Sequence, residues 1–144
     1  IMHKAFWDNL QTELDSGPIV FDQLLRLLED LRDTLIKFVP NRPDIQEEIR
    51  GGIDIDLIKN MLIHNAFEKE DLYKLATYII SLIKRFQPPV MDEKVEEWEK
   101  DMLMEFEREI KYSDFLVVFF KSVFNMIDTI IEYIEISEAE LNNT

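Results

Sequence analysis

The sequence contains no cysteine. A disulfide framework and a thiolate metal site are therefore excluded, and a reducing, cytoplasmic setting is expected. Glycine is scarce, with three among 144 residues, and proline contributes only five. Strand-rich folds need frequent turn residues, so this scarcity favours long helices joined by short loops. Long apolar runs are missing too. The longest is Phe115 to Phe120, far short of the roughly 20 residues that span a bilayer. His3, Lys4, Trp7 and Asp8 interrupt the start, so no secretory leader is expected.

Positive charge is in short supply as well. Lys and Arg number 16 against 30 Asp and Glu, for a net charge of −14. Such a surface repels phosphate backbones and anionic membranes, so neither nucleic acid nor membrane is an expected partner. A basic protein face is the more compatible one. What is present is globular in character: 47% hydrophobic and 32% charged residues, in a length that suits one domain with a core of its own.

Apolar residues recur at helical spacing along nearly the whole chain. Ala5, Phe6, Leu10 and Leu14 form the first stripe, ended by Ser16-Gly17-Pro18. Pro18 is placed to open a second helix carrying Phe21, Leu24, Leu28, Leu31, Leu35 and Phe38, stopped by Pro40. A short helix follows Asn41-Arg42-Pro43 and is expected to stop at Gly51-Gly52. Asp54 is positioned as the N-cap of the next, with Ile58, Met61 and Leu62 inward, and Asn65 as its C-terminal cap. A longer helix spans about Glu70 to Phe86, with Leu72, Leu75, Ala76, Ile79, Ile83 and Phe86 on one face. Pro88-Pro89 breaks it. Met91, Val95, Trp98, Met102, Phe106 and Ile110 mark the sixth helix, with Trp98 expected in the core. Ser113 reads as the N-cap of the last, which runs to about Ile136; residues 137–144 read as a frayed tail. The expected fold is all-α, a single-domain bundle of about seven helices over residues 1–144.

Little of this carries chemistry. His3 and His64 lack the i, i+4 partner of a helical zinc pair and the Glu three residues earlier of a di-iron bundle. Asp54 and Asp56 resemble the start of a calcium loop, but Lys59 and Asn65 stand where its Gly and Glu belong. Arg50-Gly51-Gly52 is a single copy and reads as a helix stop rather than an RNA-binding segment. The acidic run from Asp92 to Glu109 is interspersed with Lys94, Lys100 and Arg108, which suits a solvated face with local ion pairs. Ser113 and Ser122 have no histidine nearby in sequence. No catalytic residue, metal site or cofactor is assigned, and no enzyme activity is expected.

Several segments together resemble the T-complex protein 11 family. They are His3-Lys4-Ala5-Phe6-Trp7-Asp8-Asn9-Leu10 at the start, Arg42, Glu47-Glu48-Ile49, and Ile53 through Lys59. His64-Asn65-Ala66, Leu75 through Ile83, and Pro89-Val90-Met91-Asp92-Glu93 follow in order. The resemblance covers the first two-thirds and weakens beyond Glu93; family members are usually much longer, so the chain resembles their N-terminal part. It departs at Asn65, where the family tends to have Gly, at Gln87-Pro88, where an Ala and a Cys are usual, and at Met91, where Arg is. The resemblance implies a helical, non-enzymatic protein connected with cyclic-AMP and protein-kinase-A signalling.

The last helix offers the candidate contact surface. On a helical wheel, Leu116, Phe119, Phe120, Val123, Ile127, Ile130 and Ile134 share one face. Phe115, Phe124 and Ile131 flank it, and Val117 and Val118 interrupt the polar side. These five residues are the expected surface for a protein partner or a second copy. The alternative functions are a binder of an apolar small molecule or lipid between helices, suggested by ten phenylalanines, and, least favoured, a cryptic carboxylate enzyme.

Overall fold

The computed structural model describes residues 4, 5, 7, 8, 12, 22–108 and 111–142. Within them lie six α-helices: α1 (Asp22–Ile36), α2 (Pro43–Gly52), α3 (Ile55–Ile63), α4 (Lys69–Phe86), α5 (Asp92–Glu107) and α6 (Tyr112–Asn142). A 3-10 turn, Pro89–Met91, joins α4 to α5. No strand occurs among the described residues, so the all-α class holds, with a helix count slightly below the expected seven. Most of the expected first helix, including Phe6, Leu10 and Leu14, lies outside the described residues, as does Pro18. Lys4, Ala5, Trp7, Asp8 and Thr12 are helical there, and Trp7 is buried in the common core.

Helix α1 is covered on more than one side. Leu25 and Leu27 are buried as well as Leu24, Leu28, Leu31 and Leu35. It stops four residues before Pro40, and its end tightens through Phe38 N–H to the Leu35 carbonyl (3.1 Å) and Val39 N–H to the Ile36 carbonyl (3.1 Å). The Gln46 amide then donates to the Val39 carbonyl (2.8 Å), tying this turn to α2. Packed against α1 are α2 and α3; α4 packs on α5, and α5 on α6.

Helix α3 has both expected caps. The Asp54 carboxylate accepts from Leu57 N–H at 3.0 Å. At the other end Asn65 has φ 53°, the single non-glycine residue with positive φ among those described. Asn65 N–H bonds to the Leu62 carbonyl (3.1 Å) and Ala66 N–H to the Met61 carbonyl (2.7 Å). That pair of bonds is a Schellman termination, and it needs a left-handed residue at the position Asn65 fills.

Helix α4 begins with reciprocal capping between Glu68 and Asp71, and buries Ile80 and Leu82 beyond its expected stripe. Val95, Trp98 and Met102 are buried on α5 as expected. That helix ends at Glu107, short of Ile110, which lies outside the described residues. An aromatic chain then crosses the bundle: Tyr73 to Phe106 (5.1 Å between centroids), Phe106 to Phe115 (5.1 Å), Phe115 to Phe119 (5.6 Å) and Phe119 to Phe120 (5.8 Å). Separately, Phe38 stacks on Phe86 at 5.6 Å and joins the end of α1 to the end of α4. These phenylalanines are packing elements.

Two expectations about α6 are corrected. Ser113 is not its N-cap: the helix already includes Tyr112, and Ser113 sits in the first turn, 6% exposed. Residues 137–142 of the expected tail are helical as well, because the helix continues to Asn142. Glu138, Ala139, Glu140 and Leu141 are all strong helix formers, and propensity carries the backbone on after tertiary cover is lost. At 1.5 Å per residue α6 is roughly 46 Å long.

Candidate functional site

The expected surface on α6 is only partly a surface. Phe115 is 3% exposed and enclosed by Phe106 and Phe119; it belongs to the core and is withdrawn from the candidate surface. Val117, Phe124 and Ile131 are half-buried and packed against the core. Val118, at 39%, is the exposed member of the five. The body of the bundle therefore closes most of the flanks that the helical wheel left open.

Farther along α6 the cover ends. Val123, Ile127, Ile130, Ile134 and Leu141 lie on one stripe. The first three are 0%, 2% and 1% exposed, while Leu141 is 75% exposed. Tyr133 at 42% flanks this stripe, whereas Ile136 at 50% lies on the other side of the helix. Between Ser122 and Asn142 the helix carries Asp128, Glu132, Glu135, Glu138 and Glu140 and no lysine or arginine.

A second feature is a cavity of about 220 Å³ enclosed by α1, α3, α4 and α6. Leu28, Ile79, Phe119 and Phe120 line it and are at most 2% exposed. Ser113 contributes the buried polar group of its wall, while exposed Asn65 and Glu68 stand at its rim. This cavity cannot be read from periodicity, because it depends on how four helices splay around small residues such as Ala76.

The titratable residues are spent on structure. His64 caps α3, its Nδ1 2.8 Å from the Asn60 carbonyl; His3 lies outside the described residues. Asp54 is the α3 cap, and with Asp56, Glu29 and Glu47 it lines an open polar hollow beside Arg32 and Arg50. Among the described residues no three His, Cys, Asp or Glu side chains gather as a metal would require. On α5, Glu99 pairs with Lys84 (3.0 Å) and Glu105 with Arg108 (2.9 Å); Glu93, Glu96, Glu97, Asp101 and Glu107 are exposed. The buried polar or charged residue among those described is Ser113, so no carboxylate there sits in an apolar pocket. Ser122 donates to the Phe119 carbonyl at 2.9 Å. Arg42 grips Asp44 with two hydrogen bonds (3.1 and 2.9 Å), which hold the Asp44 carboxyl below its ordinary range.

Helices α2 and α4 are clamped at Glu48. The Tyr78 hydroxyl donates to its carbonyl (3.3 Å) and Arg85 to its carboxylate (2.7 Å). Burial, then the Glu48 charge, raises the Tyr78 phenol above its usual range, with Arg85 opposing. No helix among the described residues is long and apolar enough to cross a membrane.

The family model for T-complex protein 11 matches residues 1–131. The chain belongs to the T-complex protein 11 family. The match extends past Glu93, where the resemblance of the sequence segments weakens. Relatives include T-complex protein 11-like X-linked protein 1 of Homo sapiens, 34% identical over 68% of this chain and 19% of the relative. T-complex protein 11 homolog of Homo sapiens is 32% identical over 68% of this chain and 19% of the relative. The homolog of Rattus norvegicus is 28% identical over 69% of this chain and 17% of the relative. The chain thus spans about a fifth of the length of the curated relatives it matches. No solved structure matches it. Glu48, one of the residues that carried the resemblance, receives the Tyr78–Arg85 clamp; of the positions that depart from the family, Asn65 ends α3 and Met91 lies in the core, 2% exposed.

Proposed function

We propose that this chain is a non-enzymatic protein-interaction module whose projecting end of α6 docks a basic amphipathic helix of a partner. The observation that carries this reading is the single stripe that is buried at Val123, Ile127 and Ile130 and 75% exposed at Leu141. An apolar strip that Glu138 interrupts, on a helix end that carries acids and no base, suits a partner with a Leu-like anchor and Lys or Arg beside it. A second copy would set five acids against five acids, so a basic partner is favoured over self-association. Family membership supports a regulatory role, which we assign to cyclic-AMP and protein-kinase-A signalling.

The test uses immobilised full chain and a helical peptide with leucine anchors and flanking lysines. Micromolar binding is expected, weakening as salt rises and abolished by Leu141→Glu. Absence of binding, or binding indifferent to Leu141→Glu, overturns the docking reading. Sedimentation velocity separates the rival occupant, since a reversible dimer lost in Val118→Glu would replace the basic partner by a second copy. Purified regulatory and catalytic kinase subunits, tested on the same sensor, decide the signalling assignment: no binding of either overturns it.

A further inference from the structure

The cavity enclosed by α1, α3, α4 and α6 is distinct from the projecting end of α6 and has the features of a small-molecule site. Its volume is about 220 Å³. An apolar cavity of roughly 150 Å³ in another protein stays free of water and takes up benzene, so this one has room for a larger hydrocarbon group. Its floor is aliphatic and aromatic, from Leu28, Ile79, Phe119 and Phe120. Such a floor offers no partner to a polar group, so the enclosed part of a ligand must be hydrocarbon.

Among the described residues of the lining the polar groups are few and define the other end of the ligand. Asn65 and Glu68 are exposed at the rim, and buried Ser113 lies in the wall. The Asn65 amide can both donate and accept hydrogen bonds. Glu68 carries a negative charge, and Asp71 of the same capping box lies one helical turn away. The chain's net charge of −14 adds to this. A carboxylate or phosphate head would approach like charges, whereas a hydroxyl or amide head would not.

We infer that this cavity binds an uncharged amphiphile, with an alkyl or aryl body among Leu28, Ile79, Phe119 and Phe120 and a hydroxyl or amide head at the Asn65–Glu68 rim. Deep residues are contributed by α1, α4 and α6 together, so occupancy stiffens the packing of three helices at once.

The test compares 1-octanol with octanoate, two probes of one chain length and different head charge. Calorimetry on the full chain and methyl resonances of Leu28 and Ile79 report binding. Octanol is expected to bind and to shift those methyls, with octanoate about tenfold weaker at low salt. Ala76 lines the same cavity and is 4% exposed; Ala76→Phe fills the space and abolishes octanol binding. Should that variant fail to fold, Leu75→Phe on the same lining serves, and the methyl shifts in the unaltered chain stand independently. No heat and no methyl shift with octanol overturns the site. Unchanged binding in a folded, filled variant also overturns it, and octanoate binding as tightly as octanol overturns the assignment of an uncharged head.

Discussion

The ring of Tyr78 lies over Gly52 so closely that a Cβ on Gly52 would collide with its Cε2 and Cζ atoms. Helix α2 thus meets α4 through a glycine because a phenol occupies the space of its side chain. The same phenol is held by the Glu48 carbonyl one turn earlier in α2. Rotating the ring away from a new methyl would therefore break that bond. Gly51, its neighbour, has nothing within 4 Å of where a Cβ would stand.

The two glycines should therefore respond oppositely to alanine. Gly51→Ala relieves a conformational entropy cost and should stabilise by about 0.5–1 kcal/mol. Gly52→Ala overpacks against Tyr78 and should destabilise by about 1–3 kcal/mol. In a Tyr78→Ala background the Gly52→Ala penalty should vanish, giving a coupling of about 1–3 kcal/mol in a denaturant double-mutant cycle. Equal effects at the two glycines, or additive behaviour with Tyr78→Ala, would refute the contact.

Tyr78 also gives a pH dependence with a defined sign. Burial raises its pKa, followed by the Glu48 charge. The folded state thus favours the neutral phenol over the ionised one. The associated stability is fully present below the unfolded tyrosine value, about 10, and is lost as pH rises through the higher folded value. Denaturant melts should show stability falling in that alkaline window, with a shallower fall in Tyr78→Phe. The phenylalanine variant should also lose about 0.5–1.5 kcal/mol at neutral pH for the hydrogen bond. An identical alkaline slope in both proteins would contradict the assignment.

Sequence legibility divides along the range of the interaction. Both caps of α3 were readable because Asp54 and Asn65 act on backbone groups within three residues of themselves. The apolar face of α5 was readable for the same reason: Val95, Trp98 and Met102 are fixed by periodicity alone. The stop at Gly51-Gly52 was readable, since the helix ends at Gly52, but the packing of Gly52 under Tyr78 was not, because Tyr78 lies 26 positions away and does not show in local pattern. Phe115 was misplaced because a wheel gives azimuth, not the number of neighbours, and Phe106 arrives from another helix. The continuation of α6 past Ile136 was missed because a stripe was weighed above the propensity of Glu138 to Leu141. The cavity beside Ala76 follows from the mutual placement of four helices, and no single segment encodes it.

Asn65 offers a test of the Schellman termination. Its φ of 53° is one that glycine adopts without steric cost and alanine does not. Asn65→Gly should be neutral or stabilising by up to about 0.5 kcal/mol, and Asn65→Ala should cost about 1 kcal/mol. Chemical denaturation of the three proteins measures this. An alanine variant as stable as the glycine variant would mean that the left-handed turn is not maintained.

The projecting end of α6 predicts a separation of stability from binding. Glu135, Ile136, Ser137, Glu138, Ala139, Glu140 and Leu141 are all exposed. Removing residues 135–144 therefore deletes no buried side chain among the described residues. The truncated chain should keep its urea midpoint, shifting by less than about 0.5 kcal/mol in stability, as expected for changes that touch no packed group. Binding of the basic leucine-anchored peptide should fall at least tenfold, because Leu141 is gone along with three of the five acids. Salt should also affect the residual binding less, since fewer charges remain to be screened. If instead the truncation unfolds the domain, the last turns of α6 contribute to the core and are not a free surface. If the truncated chain binds the peptide as tightly as before, docking occurs elsewhere, and Val118 on the first half of α6 becomes the position to alter.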